Sequence, residues 1–184
     1  MNQQLIIYGI PFLLSMDVFF LSITGGVTEQ PYRWRTSFKI SAIFTISQFI
    51  AGILGMSIAY FILPLISTFS AIAGALLIGF FGSKMMQEAI KVKNEQRTFL
   101  IEDKDIIYPL ALASSLNTFV IFVGMGFLSV SVITSLVTLL LSIFIISQLG
   151  QFIGSHYKPL RLGRSSKLAG GFFIIILIIL NYVL

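Results

Sequence analysis

Asp17 has the clearest chemistry of any residue in this chain. It sits in Ser15-Met16-Asp17-Val18-Phe19, inside a run from Leu5 to Thr24 that is otherwise almost wholly apolar. A carboxylate at bilayer depth costs about 2.5–3.5 kcal/mol on insertion scales, and such residues mark substrate, ion or proton paths between helices. The pattern returns one hundred residues later as Ser115-Leu116-Asn117-Thr118-Phe119, with an amide where the acid stood. Helical spacing adds Thr24 to the face of Asp17, and Ser114 and Gly124 to the face of Asn117. Gln48 and Gln148, also one hundred residues apart, lie within two further apolar runs and serve equally well as packing contacts or as path-lining groups.

The elements that position these residues must belong to a membrane fold. The chain is 57% hydrophobic and 10% charged, with a mean hydropathy of +0.97, beyond what a water-soluble domain of this length tolerates. Its 18 phenylalanines suit lipid-facing surfaces. The absence of cysteine excludes disulfides and thiolate metal sites. Residues 1–24 are not expected to be a signal peptide, because a basic leading segment is missing and Asp17 interrupts the apolar core.

Six segments are long enough, or nearly so, to cross about 30 Å of hydrocarbon as helices. They are Leu5–Thr24, Ile40–Leu63, Leu65–Gly82, Pro109–Leu128, Val132–Gly154 and Leu168–Leu184. Lys and Arg then sort by connection. Arg33, Arg35 and Lys39 follow the first segment; Lys84, Lys91, Lys93, Arg97 and Lys104 follow the third; Lys158, Arg161, Arg164 and Lys167 form the last loop. The turns at Pro64 and at Ser129–Ser131 carry none, so all 12 basic residues fall on one side. By the positive-inside rule that side is cytoplasmic and both termini are extracytoplasmic, which predicts a multi-pass protein of the cell membrane. The lipid bilayer accounts for the net charge of +5, and no nucleic acid is expected as a partner. Glu88, Glu95, Glu102, Asp103 and Asp105 mix with the central basic group and read as a hydrated linker, with a helical extension through Met86–Val92.

Internal repeats organise these segments. Besides Asp17 and Asn117, Phe44 to Gln48 matches Phe144 to Gln148 at the same offset, and Ala73-Gly74 matches Ala169-Gly170. Each half holds an odd number of spans, so the halves run oppositely. The predicted fold is an all-α membrane protein of six transmembrane helices, arranged as two inverted three-helix repeats (1–92 and 109–184) joined by a cytoplasmic linker at 93–108. Asp17 and Asn117 then reach similar depths, about 10–12 Å from the cytoplasmic boundary at 1.5 Å per residue, where they could face one another. Stripes of small and polar residues predict helix contacts: Ser41, Thr45, Gln48, Gly52 and Gly55; Ala71, Ala75, Gly79 and Gly82; Ser147, Gly150 and Gly154.

Read together, these residues resemble the manganese efflux pump (MntP) family, within the wider group of LysE-type exporters. The family's Ser-Met-Asp-Ala-Phe-like opening is matched by Ser15 to Phe19, and its second-helix pattern by Phe44, Gln48 and Gly55. Gly82, Lys84, Met85 and Glu88 match the exit of its third helix. Ser147, Leu149, Gly150 and Gly154 match its fifth, and Gly170-Gly171 its sixth. The likeness spans essentially the whole chain. It departs at Asn117, where the family carries Asp, and at Gly52, where the family carries Pro.

The resemblance implies a secondary transporter that exports a divalent cation, Mn²⁺ foremost, and no enzyme. Mn²⁺ prefers carboxylate, carbonyl and water oxygens. Asp17 and Asn117 are the expected metal ligands, with Ser15, Ser114, Gln48 and Gln148 along the path. No cofactor is expected, and without a Walker-type phosphate loop the energy source is an ion gradient or membrane potential. Two other readings stay open here: export of another small solute on the same scaffold, which the single acid at the paired positions favours, and an accessory membrane protein without transport. His156, the one histidine, is expected in a loop at the membrane edge and serves no catalysis.

Overall fold

Long apolar runs with few breakers give long helices, because only a helix satisfies every backbone group without water. The computed structural model describes residues 3–28, 32–66, 68–91, 104–157 and 160–183. They form α1 (Gln3–Thr28), α2 (Trp34–Ile62), α3 (Ser70–Lys91), α4 (Lys104–Phe127), α5 (Val132–Tyr157) and α6 (Leu160–Val183). Four of these, α1, α2, α4 and α5, are long and apolar enough over their described residues to cross a membrane. Large apolar side chains cover the outside, among them Phe61, Leu65, Ile133, Trp34, Leu76 and Phe69. A surface of that kind is stable against lipid rather than water.

Each helix packs through its small residues. In α5 the face Ser135, Leu139, Ile143, Ser147, Gly150 and Gly154 is buried. A β-carbon added at Gly150 would lie 2.8 Å from Cβ of Ser22 in α1, and one at Gly154 would strike the carbonyl of Ile23. The two helices therefore run side by side in the same direction. α2 and α4 do the same, with Gly55 against the Phe119 carbonyl and Gly126 against Ala59. The remaining pairs are antiparallel: α1 with α6 (Gly9 at Leu177, Gly170 at Leu13), α4 with α3 (Gly124 at Gly74), α3 with α6 (Gly82 at Gly171) and α2 with α5 (Gly52 at Leu136). α1 and α4 barely touch.

The helices differ from the expected spans at their charged ends. α3 begins five residues later than expected, because residues 63–65 and 68–69 form turns, and it continues nine residues past Gly82 to Lys91. α6 begins at Leu160 instead of Leu168. Lys167, expected in the last loop, is thus inside a helix and only 6% exposed. The cause is that an apolar run stops at its first charge, whereas a helix continues if that charge finds a partner. Glu88 lies in α3, within the expected helical extension. His156 falls in the last turn of α5, with Nδ1 2.9 Å from the Phe152 carbonyl, and not in a loop. The expected third-helix stripe is displaced: Gly74, Ile78, Gly82, Met85 and Ala89 are buried, while Ala71 is exposed and Gly79 faces open space. Of the linker expected at 93–108, residues 104–108 belong to α4, and the rest, with Glu95, Glu102 and Asp103, lies outside the described residues.

Candidate functional site

Asp17 is 3% exposed, in the middle of α1. Two elements reach it. From α4, the Ser114 hydroxyl donates to Asp17 Oδ2 at 2.9 Å. From α6, the Lys167 ammonium stands 2.6 Å from Oδ1. Ser114 in turn accepts from Gln48 Nε2 of α2 at 2.8 Å, and the Thr118 hydroxyl donates to Gln48 Oε1. The carboxylate is therefore met by three other helices either directly or through one hydroxyl. Buried polar groups persist only when their partners are supplied in this way.

The charged part continues into α3. Lys167 also lies 2.9 Å from Glu88 Oε2, and Glu88 Oε1 is 3.7 Å from Lys84 Nζ one turn earlier. Lys84 donates to Asn117 Oδ1 of α4 at 3.2 Å. Asp17 and Asn117 are thus joined through two lysines and Glu88. The lysine side chains differ in burial: 8% exposed for Lys167 and 42% for Lys84. Aromatic faces line both, with Phe20 5.6 Å from the Lys167 nitrogen and Phe81 4.9 Å from that of Lys84.

The other expected residues lie elsewhere. Ser15 donates to the Phe12 carbonyl of its own helix at 2.5 Å. Gln148 is half-buried and accepts from Ser37 at 2.8 Å, with Tyr32 at 3.5 Å. It belongs to a second, uncharged network between α1, α2 and α5. There Ser147 bonds Ser22 at 2.9 Å and Ser41 at 3.0 Å, and Gln151 donates to Ser41 at 3.2 Å. Gln151 and Lys167 do not stand out in the sequence, and Glu88 reads there as a motif match and a linker acid, not as a site residue. Gln151 is one turn from Ser147 on the predicted contact face, which is the signal that could have found it. For Lys167 the signal was Gly170-Gly171, whose close contacts show that α6 packs tightly just where its apolar run begins.

Among the described residues no three His, Cys, Asp or Glu side chains converge as a ready-made metal centre. What the arrangement offers a cation is one deeply buried carboxylate, a second half-buried one, and neutral oxygens from Ser114, Gln48 and Asn117. Hard cations accept such oxygen sets, commonly completed by water.

A bundle of long apolar helices around a buried carboxylate, clad in exposed Phe, Leu and Ile, defines a multi-pass membrane protein with a polar site between its helices. A model of the family described as "Putative manganese efflux pump" matches residues 31–183, and the chain belongs to that family. It is 26% identical over 164 residues to the "Putative manganese efflux pump MntP" of Photorhabdus laumondii, covering 88% of this chain and 84% of that one. It is 28% identical over 165 residues to the proteins of the same name in Yersinia pestis and Yersinia pseudotuberculosis, covering 89% and 87%. No solved structure matches it.

Proposed function

We propose that this protein is a secondary transporter that exports a divalent metal cation, Mn²⁺ foremost, with Asp17 as its principal cargo ligand. The observation that carries the reading is the convergence of α2, α4 and α6 on a single buried carboxylate in α1. A charge at that depth is costly, and polar neighbours from several helices are what an ion path requires. Family membership and the names of the relatives supply the metal. Ser114, Gln48 and Asn117 would complete the oxygen set, with Ser15 and Gln148 further along the path.

The scaffold is read as six spans in two inverted repeats, 1–92 and 109–184, with the basic helix ends in the cytoplasm and both termini outside. Its support is that the packing pairs are unchanged when α1, α2 and α3 are exchanged with α4, α5 and α6. The parallel α1–α5 contact becomes α4–α2, and the antiparallel α1–α6 contact becomes α4–α3. Rocking of one half against the other would then expose the midplane site to each side in turn. Export of a less charged solute is the second reading, favoured by Asn117, whose oxygen already holds a lysine.

Flux of Mn²⁺ from proteoliposomes tests the proposal. Wild-type protein should move Mn²⁺ down an imposed gradient, and Asp17→Asn should abolish that flux while the purified protein still unfolds cooperatively, with Lys167 held by Glu88 alone. Flux insensitive to Asp17→Asn would place the path elsewhere. Absence of Mn²⁺ flux from wild-type protein, with uptake of a monovalent or neutral solute, would favour the second reading.

A further inference from the structure

We propose that Lys167 is a tethered counter-cation: its ammonium occupies the cargo position on Asp17 and is exchanged against the cargo on loading. The inference rests on the reading of Asp17 as cargo ligand. Nζ of Lys167 lies 2.6 Å from Asp17 Oδ1 and 2.9 Å from Glu88 Oε2, so those distances together cap the separation of the two oxygens at 5.5 Å. In this position the ammonium stands where a metal ion held by Asp17 Oδ1 would stand. A second cation cannot share Oδ1 with it, because like charges so close repel strongly where water is excluded.

The local charge count points the same way. Asp17 and Glu88 balance Lys84 and Lys167, so the cluster is neutral as it stands. A dication added with both lysines in place would leave two uncompensated positive charges. Movement of Lys167 off Asp17 carries one of them to the more hydrated side of the cluster and frees the carboxylate oxygen at the same moment.

Glu88 gives the displaced ammonium somewhere to go. Its side chain is 38% exposed against 5% for that of Asp17, so it faces the more hydrated side of the cluster. The lysine stem is flexible and rests near the Phe20 ring, so the ammonium can swing while the stem stays packed. Position supports the role too. Lys84, Glu88 and Lys167 all reach the cluster from the basic ends of α3 and α6, so a cation arriving from that end meets them before Asp17.

Amine acetylation of the purified full-length protein, followed peptide by peptide by mass spectrometry, tests this beside Mn²⁺ binding on the same sample. Without metal, Lys167 should react slowly. Saturating Mn²⁺ should raise its rate at least about tenfold, with exposed Lys39 and Lys91 unchanged as references. In the variants the signs should oppose: Lys167→Gln tightens Mn²⁺ binding by about tenfold or more, and Glu88→Gln weakens it because the displaced ammonium loses its second partner. Asp17-dependent Mn²⁺ binding that leaves Lys167 reactivity unchanged would overturn the exchange and leave the Asp17 site standing. Mn²⁺ binding that is indifferent to Asp17→Asn would overturn both. The wild-type measurement decides the matter even if a variant fails to fold.

Discussion

Asp17 and Asn117 occupy paired positions one hundred residues apart, and each holds a lysine from the other half of the chain, yet the two places are built differently. At Asp17 the lysine is buried at 2.6 Å; at Asn117 it is half-exposed at 3.2 Å. The acid pairs with a full opposite charge and draws it out of water, since burying one partner alone would leave an uncompensated charge. The amide offers only a dipole, too little to offset the desolvation of an ammonium, so Lys84 stays partly in solvent. The two side chains differ by one heavy atom, and the acid holds the buried lysine. The lysines themselves are not one hundred residues apart: both arrive from the basic ends of their helices. The asymmetry at the site is thus both chemical and directional, closed by cations from one end only.

The double variant Asp17→Asn/Asn117→Asp breaks this comparison most sharply. If the position of the carboxylate sets lysine burial, the order should invert: Lys84 becomes the slowly acetylated lysine and Lys167 the fast one, each by roughly tenfold, as charge-assisted and neutral hydrogen bonds exchange places. Retention of the wild-type order would mean that packing around Phe20 and Gly170, and not charge, buries Lys167.

Asn117→Asp alone should have a smaller effect. It places a second acid at the paired position, and a dication meeting two carboxylates should bind more tightly. The new carboxylate would lie under the Lys84 ammonium, however, and pair with it first. Mn²⁺ affinity should therefore rise only a few-fold, and further in Asn117→Asp/Lys84→Gln. Equal affinities in the single and double variants would show that Lys84 does not compete with the cargo.

What was legible in the sequence follows from the same physics. Asp17 and Asn117 stood out because polar groups in apolar runs are costly, and Ser114 and Gln48 followed from helical spacing and the repeat. The six-helix architecture followed from run length. Lys167 did not stand out and Glu88 did not read as a site residue, because charges at the ends of apolar runs look like loop charges until a buried partner is seen. The partner lies about 80 to 150 residues away in the chain, a separation that no local pattern encodes. The third-helix stripe held at Ala75 and Gly82 and failed at Ala71 and Gly79 for a related reason: Gly79 and Gly82 are both small, and only the neighbour's position tells which one is a contact.

That last distinction gives the smallest of the expected effects and a way to sharpen the comparison on its packing side. A β-carbon at Gly82 would lie 3.2 Å from the Gly171 carbonyl and equally close to Ile174, in the contact that brings α3 against α6 and so sets Glu88 beside Lys167. The neighbours there include backbone, which yields little. Gly82→Ala should therefore destabilise the protein by about 1–3 kcal/mol, the usual range for overpacking, and speed Lys167 acetylation as the helices part. Gly79 sits one turn earlier with nothing within 4 Å. Alanine there meets no obstacle and favours the helix by up to about 1 kcal/mol over glycine, so Gly79→Ala should leave stability unchanged or slightly raised, with Lys167 as slow as in the wild type. Thermal unfolding in detergent and the acetylation rates measure both. Equal loss of stability in the two variants would mean that α3 meets a further surface through Gly79, and that the α3–α6 contact does not alone hold the charged cluster together.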